Sequence, residues 1–321
     1  MKHIKKICEM VIVLSLLLMS CNNSLQSTQN STATPILNFV PQTNTPIAKT
    51  PTITPIPAST LHPALNAESA NKLALQLLND NSNCRLPCWW GIIPTITTSQ
   101  DAISFLNSFS SIASTNSTDN DGGYMILKIP NGNGLLSPFI EYNSIDGVIN
   151  TLIVGISQIV KNENGGYDEV YDDPAFARAT QFLSLPEILR SYGQPKEVLI
   201  STYSLQPLGW PVFFDIQLFY PEHGFLMAYN SLMEFSGSGY IKGCPSKSNI
   251  AIGLWEPGKY LSINDLPGNI RNNISSFPLS SYLQVNEATD MSIQDFYDTF
   301  KNDEGTLCLE TPSSLWPFPG Q

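Results

Sequence analysis

The first 21 residues restrict the compartment in which this chain folds more than any other stretch does. Lys2, Lys5 and Lys6 give a basic start, and an apolar run follows from Met10 to Met19. A basic head, a short apolar segment and a small residue at its end are typical of a secretory signal that is removed from the mature protein. The apolar run is about half as long as a membrane-spanning helix needs. We therefore expect residues 1–20 to be a signal peptide and the remaining chain to be extracytoplasmic.

The four residues that close this segment, Leu18-Met19-Ser20-Cys21, resemble the lipobox of bacterial lipoproteins. The resemblance implies that Cys21 becomes the new N-terminus. It would carry acyl chains, palmitate among them, that anchor the protein to a membrane of the bacterial cell envelope. Two or more chains hold a protein stably where a single chain does not. Ordinary signal-peptidase cleavage and a retained N-terminal anchor are the alternatives, and both also place the body outside the cytoplasm.

The stretch that follows cannot form a hydrophobic core. Residues 22–63 contain seven prolines, many Thr, Ser and Asn residues, and a single charged residue, Lys49. Such a composition favours extended polyproline conformations and disorder. We therefore expect residues 21–65 to be a lipidated cysteine followed by a disordered Thr/Pro-rich stalk. The stalk is either a tether that holds the body off the membrane or a plain linker.

The body is strongly acidic. Removal of residues 1–20 leaves 13 basic and 26 acidic residues, which is a formal charge of −13. Binding of nucleic acid depends on Lys and Arg side chains that displace counterions from phosphates. No run of basic residues occurs after residue 6. We therefore expect no nucleic-acid partner.

Four cysteines remain in the body, at Cys84, Cys88, Cys244 and Cys308. Four cysteines in an oxidising compartment predict two disulfides, for which three pairings can be drawn. We favour a local Cys84–Cys88 bond and a Cys244–Cys308 bond, which would stabilise the fold by about 4 kcal/mol. Zinc is the alternative, because Cys84-x3-Cys88 is near ligand spacing, but the other two cysteines form no matching pair.

The body, residues 66–321, shows both helical and strand periodicity. Apolar residues recur at helical spacing over residues 68–79, and three later sites place an acid three positions after a hydroxyl residue, as capping boxes do. These are Thr98-x-x-Asp101, Ser184-x-x-Glu187 and Ser292-x-x-Asp295. Alternating apolar and polar residues predict strands over residues 124–129, 138–143, 148–160, 197–204, 213–220, 225–229 and 249–255.

A capped helix twice precedes a run of predicted strands, which indicates a degenerate repeat. We therefore predict an α+β fold of two helix-plus-antiparallel-sheet modules, residues 66–165 and 166–321, supported by disulfides. The second module also carries a C-terminal helix and an irregular tail.

Residues 184–229 carry a further resemblance. Their short capped helix ends in Tyr192-Gly193-Gln194-Pro195 and is followed at once by strands. This is similar to the modules of the β-lactamase inhibitor protein family and of the small lipoprotein of the outer-membrane β-barrel assembly machinery. In those families a helix that ends in a Leu-Gly-x-Pro-like turn packs on an antiparallel sheet, and here Tyr192 replaces the leucine. The resemblance implies a non-catalytic, protein-binding scaffold and assigns no functional residues.

The segment Cys84-Arg-Leu-Pro-Cys-Trp-Trp-Gly91 combines a close cysteine pair with two adjacent tryptophans. Exposed Trp89 and Trp90, with Trp210, would offer an aromatic platform for a glycan or another solute. Alternatively, the segment is a disulfide-pinned loop whose tryptophans fill one end of the core.

The sequence contains little that points to catalysis. His223 is the only histidine of the body and lies in a Pro-Glu-His-Gly stretch that predicts an exposed turn. One histidine leaves no HExxH zinc motif and little room for a Ser-His-Asp triad. The sequence also lacks the Gly-x-Ser-x-Gly elbow and the complete phosphate loop, Gly-x-x-x-x-Gly-Lys followed by Ser or Thr. We therefore expect no enzyme activity and no cofactor.

Four carboxylates cluster between the two predicted modules, at Asp168, Glu169, Asp172 and Asp173. Clustered oxygens can bind calcium, which takes six to eight hard ligands. A solvated acidic loop is the alternative, and no metal ligand is assigned.

Together these features predict a lipid-anchored, extracytoplasmic envelope protein that is not catalytic and that binds another protein. A glycan- or solute-binding lipoprotein that uses exposed tryptophans is the alternative function.

Overall fold

A computed structural model of the 321-residue chain describes residues 62–119, 121–203, 213–236, 239–275 and 277–316. They form an α+β fold with a mostly antiparallel sheet and two disulfides, which confirms the predicted fold class. No helix in these ranges has the length and apolarity that a membrane crossing requires. The described helices are α1 (Ala67–Asp80), α2 (Ser99–Asn107), α3 (Pro174–Ala179), α4 (Leu185–Tyr192), α5 (Gly268–Ile274), α6 (Val285–Ala288) and α7 (Ile293–Phe300).

The strands form one large sheet and one small sheet, both antiparallel. The strands are β1 (Ala113–Thr118), β2 (Gly122–Leu127), β3 (Ile129–Asn131), β4 (Gly134–Ile145), β5 (Val148–Lys161), β6 (Tyr167–Val170), β7 (Glu197–Tyr203), β8 (Phe213–Tyr220), β9 (Phe225–Leu232), β10 (Glu234–Ser236), β11 (Tyr240–Gly243), β12 (Ser248–Leu254), β13 (Leu283–Gln284) and β14 (Leu309–Pro312). The large sheet has the order β1-β2-β4-β5-β12-β9-β8-β7-β13, with β3 beside β4 and β6 beside β5, and the small sheet has the order β10-β11-β14.

Strand β12 joins the two groups of strands into one sheet. Its Ile252 lies opposite Val154 of β5 on one side and opposite Met227 of β9 on the other. The strands of the two predicted modules therefore share a single sheet. The predicted boundary at residue 165/166 falls in the hairpin between β5 and β6, which pair with each other.

One face of the large sheet packs against helices. Ala70, Ala74, Leu77 and Leu78 of α1 are buried at the predicted helical spacing. The alternating apolar residues of the strands meet α1, α2, α4 and α7 in one core, as period-2 patterning requires.

A second layer, residues 255–282, covers part of the opposite sheet face. Trp255 and the apolar residues of α5 pack there on Phe219 and Leu226. The approach of α5 requires glycine at position 253, because a Cβ atom there would lie 2.7 Å from Ile270 Cγ2. The same layer buries two polar side chains of β8: Tyr282 donates a 2.6 Å hydrogen bond to Asp215, and Gln217 donates one of 3.0 Å to Ser275.

Two of the three predicted helix starts are capped by their hydroxyl residue, and one of these, at Ser292, is a complete capping box. Thr98 accepts a hydrogen bond from the Asp101 amide, and Ser292 and Asp295 bond reciprocally. The third prediction is wrong in its detail: helix α4 begins after Ser184, but the Ser184 hydroxyl does not cap it. Its partner, Glu187, instead accepts hydrogen bonds from the Arg190 guanidinium.

The C-terminal segment is more ordered than the sequence predicts. The C-terminal tail that we expected to be irregular begins at Pro312, and this residue is the last one of strand β14, which pairs with β11. The Trp316 ring is buried, and its indole N–H donates a 3.0 Å hydrogen bond to Thr311.

Candidate binding surfaces

The loop from Asn81 to Ile92 is organised around one buried amide. Asn81 adopts a left-handed conformation at φ 49°. Its Nδ2 donates to the carbonyls of Cys84 and Cys88, and its Oδ1 accepts from the Trp90 amide. Asparagine tolerates this conformation better than most residues do. A single side chain therefore fixes both ends of the Cys84–Cys88 disulfide loop.

The two tryptophans of this loop are buried, so the predicted aromatic platform at Trp89 and Trp90 is wrong. Their exposed fractions are 0% and 2%, and their rings stack with centroids 5.6 Å apart. The cause is a two-residue turn in which Trp90 and Gly91 both have positive φ, while Trp89 and Ile92 exchange backbone hydrogen bonds. This turn breaks the alternation that normally points adjacent side chains apart.

The four cysteines of the body form the disulfides that the sequence favours. The pairs Cys84–Cys88 and Cys244–Cys308 form the two favoured disulfides, which leaves none of these four sulfurs for zinc. Cys21 and Trp210 lie outside the described residues.

The four clustered carboxylates do not converge on one point. Asp168 accepts a hydrogen bond from Asn162, and Glu169 accepts hydrogen bonds from Tyr171 and Asn249. Asp172 forms an ion pair with Lys247, and Asp173 caps helix α3. Within the described ranges, no group of three or more His, Cys, Asp or Glu residues is arranged to hold a metal ion. Each carboxylate therefore serves a local structural contact.

His223 lies in a 3-10 turn after β8, as its sequence context predicts. Its ring packs edge-on against Tyr192, with centroids 5.3 Å apart. Burial, assisted by the Arg85 charge, lowers the pKa of His223. The imidazole is thus a member of an aromatic cluster with Tyr192, Tyr220 and Phe225.

The covering layer leaves part of the large sheet open to solvent. Opposite residues of paired strands share a face, which places Ser117, Tyr124 and Glu141 in one row across β1, β2 and β4. Ile126 and Phe139 form the next row. Tyr124 is 38% exposed, and its ring centroid lies 6.3 Å from that of Phe139. We name these five residues the open sheet face.

Charges are unevenly distributed around the open sheet face. Asp119 and Asp121 lie in the turn between β1 and β2, at one end of the face. Burial raises the pKa of Glu141, whose carboxylate accepts hydrogen bonds from Asn273 of α5. At the other end, the ammonium of Lys128 is held 4.1 Å from the Tyr167 ring centroid. The surface therefore combines an apolar centre with a mainly acidic rim.

A separate cleft of about 610 Å³ lies between helices α3 and α4 on one side and the segments 245–250 and 302–305 on the other. Its floor is formed by Phe176, Tyr229 and Ile250, which are buried. Small-molecule sites typically have volumes of about 300–1,000 Å³. No part of the sequence predicted this cleft, because its walls come from three distant segments.

The sequence matches no protein-family model and no curated protein, and the structure matches no solved structure.

Proposed function

We propose that this chain is a lipid-anchored, extracytoplasmic protein of the bacterial cell envelope that binds another protein and is not catalytic. The secretory pattern and the lipobox-like Leu18-Met19-Ser20-Cys21 support the address. The two disulfides support an oxidising compartment. The Thr/Pro-rich composition of residues 22–63 supports a tether between anchor and body.

The observation that carries protein binding is the open sheet face. Tyr124 is 38% exposed and Ile126 is half-buried on the part of the sheet that residues 255–282 leave open, and the half-buried Phe139 lies beside them at the border of that second layer. Aromatic and aliphatic groups on an open surface favour association with a protein. The carboxylates of Asp119 and Asp121 favour a partner that presents basic groups around an apolar centre.

A site-specific photo-crosslinker tests this proposal in intact envelopes. We would place it at Tyr124 of the full chain and, as a control, at Tyr240, which is 41% exposed on the small sheet. We expect one recurrent protein adduct from position 124 and none from position 240. Tyr124→Glu, with the crosslinker moved to Ser117, should abolish the adduct without lowering the melting temperature.

Two results would contradict the proposal. One is an equal set of adducts from both positions, and the other is a position-124 adduct that survives Phe139→Asp and Ile126→Asp. In parallel, Cys21→Ser should abolish the incorporation of radiolabelled palmitate into the protein. Continued labelling of this variant would contradict the lipid anchor at Cys21 but would leave the binding face unaffected.

The cleft favours a second candidate function, which is the binding of a small polar ligand. Trp89 and Trp90 do not support this function, since both rings are buried.

A further inference from the structure

Both walls of the cleft are held by cross-links to other parts of the fold. On one wall, the Tyr229 hydroxyl donates a 2.8 Å hydrogen bond to the Leu183 carbonyl, which fixes the segment between α3 and α4 to the sheet. On the other wall, the Cys244–Cys308 disulfide joins the chain on either side of the lining segments 245–250 and 302–305. A binding site gains affinity when its walls are ordered before the ligand arrives.

Several polar side chains of the cleft are free to bind a ligand. Gln181, Ser184, Ser246 and Glu304 line it, and none of these side chains makes a hydrogen bond or ion pair with another described residue. Ser184 is notable because it occupies an N-cap position, where a serine hydroxyl normally bonds to the helix. Here the hydroxyl remains free at the edge of the cleft.

The charged side chains of the cleft are already engaged, apart from Glu304. Arg190 donates to Glu187 and to the Lys301 carbonyl. Asp303 accepts from the Thr306 amide and hydroxyl and from the Leu307 amide. An anionic ligand would therefore meet no uncommitted cation among the described lining residues.

We propose that the cleft binds a neutral polyhydroxylated ligand, of the size of a mono- or disaccharide. Sugar hydroxyls both donate and accept hydrogen bonds, so they can pair with the amide of Gln181 and with the hydroxyls of Ser184 and Ser246. The apolar C–H face of a sugar ring suits the floor formed by Phe176 and Ile250. A carboxylate such as Glu304 accepts hydrogen bonds from ligand hydroxyls strongly. This site shares no residue with the open sheet face, so the two proposals fail independently.

Calorimetric titration of the full chain tests the proposal. The protein would be held in a detergent without a sugar head group. The probes would be glucose, galactose, mannose, N-acetylglucosamine, maltose, cellobiose and chitobiose, with glucose 6-phosphate and arginine as charged comparators. We expect at least one neutral sugar to bind with a Kd below about 1 mM, and the charged comparators to bind at least about tenfold more weakly.

Matched variants locate the site. Ser246 and Ser314 are both the exposed middle residue of a three-residue 3-10 turn, Pro245–Lys247 and Ser313–Leu315 respectively. Ser246→Trp should fill the cleft and raise the Kd at least about tenfold, and Ser314→Trp should leave it unchanged. Gln181→Ala should weaken binding about fivefold, whereas Gln194→Ala, at an exposed glutamine outside the cleft, should not.

The proposal is overturned if no neutral sugar binds at concentrations up to about twenty times the expected Kd, or if a charged comparator binds tighter than every sugar. It is also overturned if both Ser246→Trp and Gln181→Ala bind as the unmodified chain does. Circular dichroism separates a lost site from a lost fold. Gln181→Ala decides the matter if the tryptophan variant does not fold, because the Gln181 side chain is exposed and makes no hydrogen bond or ion pair with another described residue.

Discussion

The two disulfides of the body lie in regions that use their side chains in opposite ways. Around Cys84–Cys88, the chain turns its large side chains inward: Trp89 and Trp90 are buried, and the Asn81 amide binds the loop backbone. Beside Cys244–Cys308, the flanking segments line a cleft in which polar side chains remain free. A close cysteine pair with adjacent tryptophans therefore marks a structural plug here, and the less conspicuous cysteine pair borders the candidate ligand site.

The difference shows which feature of a loop indicates binding. Aromatic residues next to a disulfide indicate stability as readily as they indicate a ligand platform. Polar side chains that line a concave site and bond to no other described residue can offer hydrogen bonds to a ligand, which a buried aromatic ring cannot do. The indole N–H groups of Trp89 and Trp90 are buried without a partner among the described residues, which fits side chains selected for volume.

The largest expected effect is at Trp89. Trp89→Ala should lower the free energy of unfolding by about 3–5 kcal/mol, because it leaves a large cavity beside Trp90 and Phe182. Trp89→Phe keeps most of the volume and removes an unpaired N–H, so it should cost less than half as much. Denaturant unfolding of each variant measures both values. A loss below about 1 kcal/mol for Trp89→Ala would place this ring at the surface and remove the contrast between the two regions.

The next largest effect is at Asn81. Asn81→Ala removes the three hydrogen bonds that hold the disulfide loop and places alanine at positive φ. We expect a loss of about 2–3 kcal/mol. Asn83 also has positive φ, at 57°, but it is exposed, so Asn83→Ala should cost about 1 kcal/mol or less. Equal melting temperatures for the two variants would show that the amide does not organise the loop.

A smaller loss of unfolding free energy is expected at two serines that precede helices. Ser292 caps α7 and Ser184 leaves α4 uncapped. Ser292→Ala should therefore cost about 1 kcal/mol, and Ser184→Ala less than about 0.5 kcal/mol. If thermal unfolding showed the reverse order, Ser184 would act as a structural cap and the cleft would lose one of its free hydroxyls.

The smallest expected effect depends on pH. Hydrogen bonds from Ser292 hold the pKa of Asp295 below its ordinary value of 3.8. A lowered carboxyl pKa contributes stability that is present above the unfolded-state value and is lost as the pH falls through the folded-state value. Asp295→Asn should therefore flatten the decline in melting temperature below pH 4. An identical decline in both proteins would show that this capping box contributes nothing measurable.

Periodicity predicted the parts of this fold in which each element has one buried face. Strand β8 has the predicted bounds, and α1, β5 and β12 differ from them by one residue at an end or both. The second layer escaped prediction because residues 255–282 carry no sustained period, although they bury Asp215 and Gln217. The edge strand β1 was not predicted because its residues are small and polar, a composition that is also typical of loops.

The binding surfaces were harder to predict than the fold. The open sheet face depends on how far the second layer extends, which the alternation in β2 and β4 does not encode. The cleft combines residues near positions 180, 246 and 303, which are brought together by the Cys244–Cys308 disulfide and the central position of β12. The burial of both tryptophans depended on the positive φ of Trp90, a conformation that bulky residues rarely adopt.

The contrast between the two regions can be tested directly by hydrogen exchange, read by mass spectrometry, of the full chain with and without the tightest-binding sugar of the panel. We predict that peptides covering residues 181–184, 245–250 and 302–305 gain protection when the sugar binds. Peptides covering residues 84–92 should exchange slowly in both states and should not change. Added protection at residues 84–92, with no change along the cleft, would contradict the account and return the ligand site to the tryptophan loop.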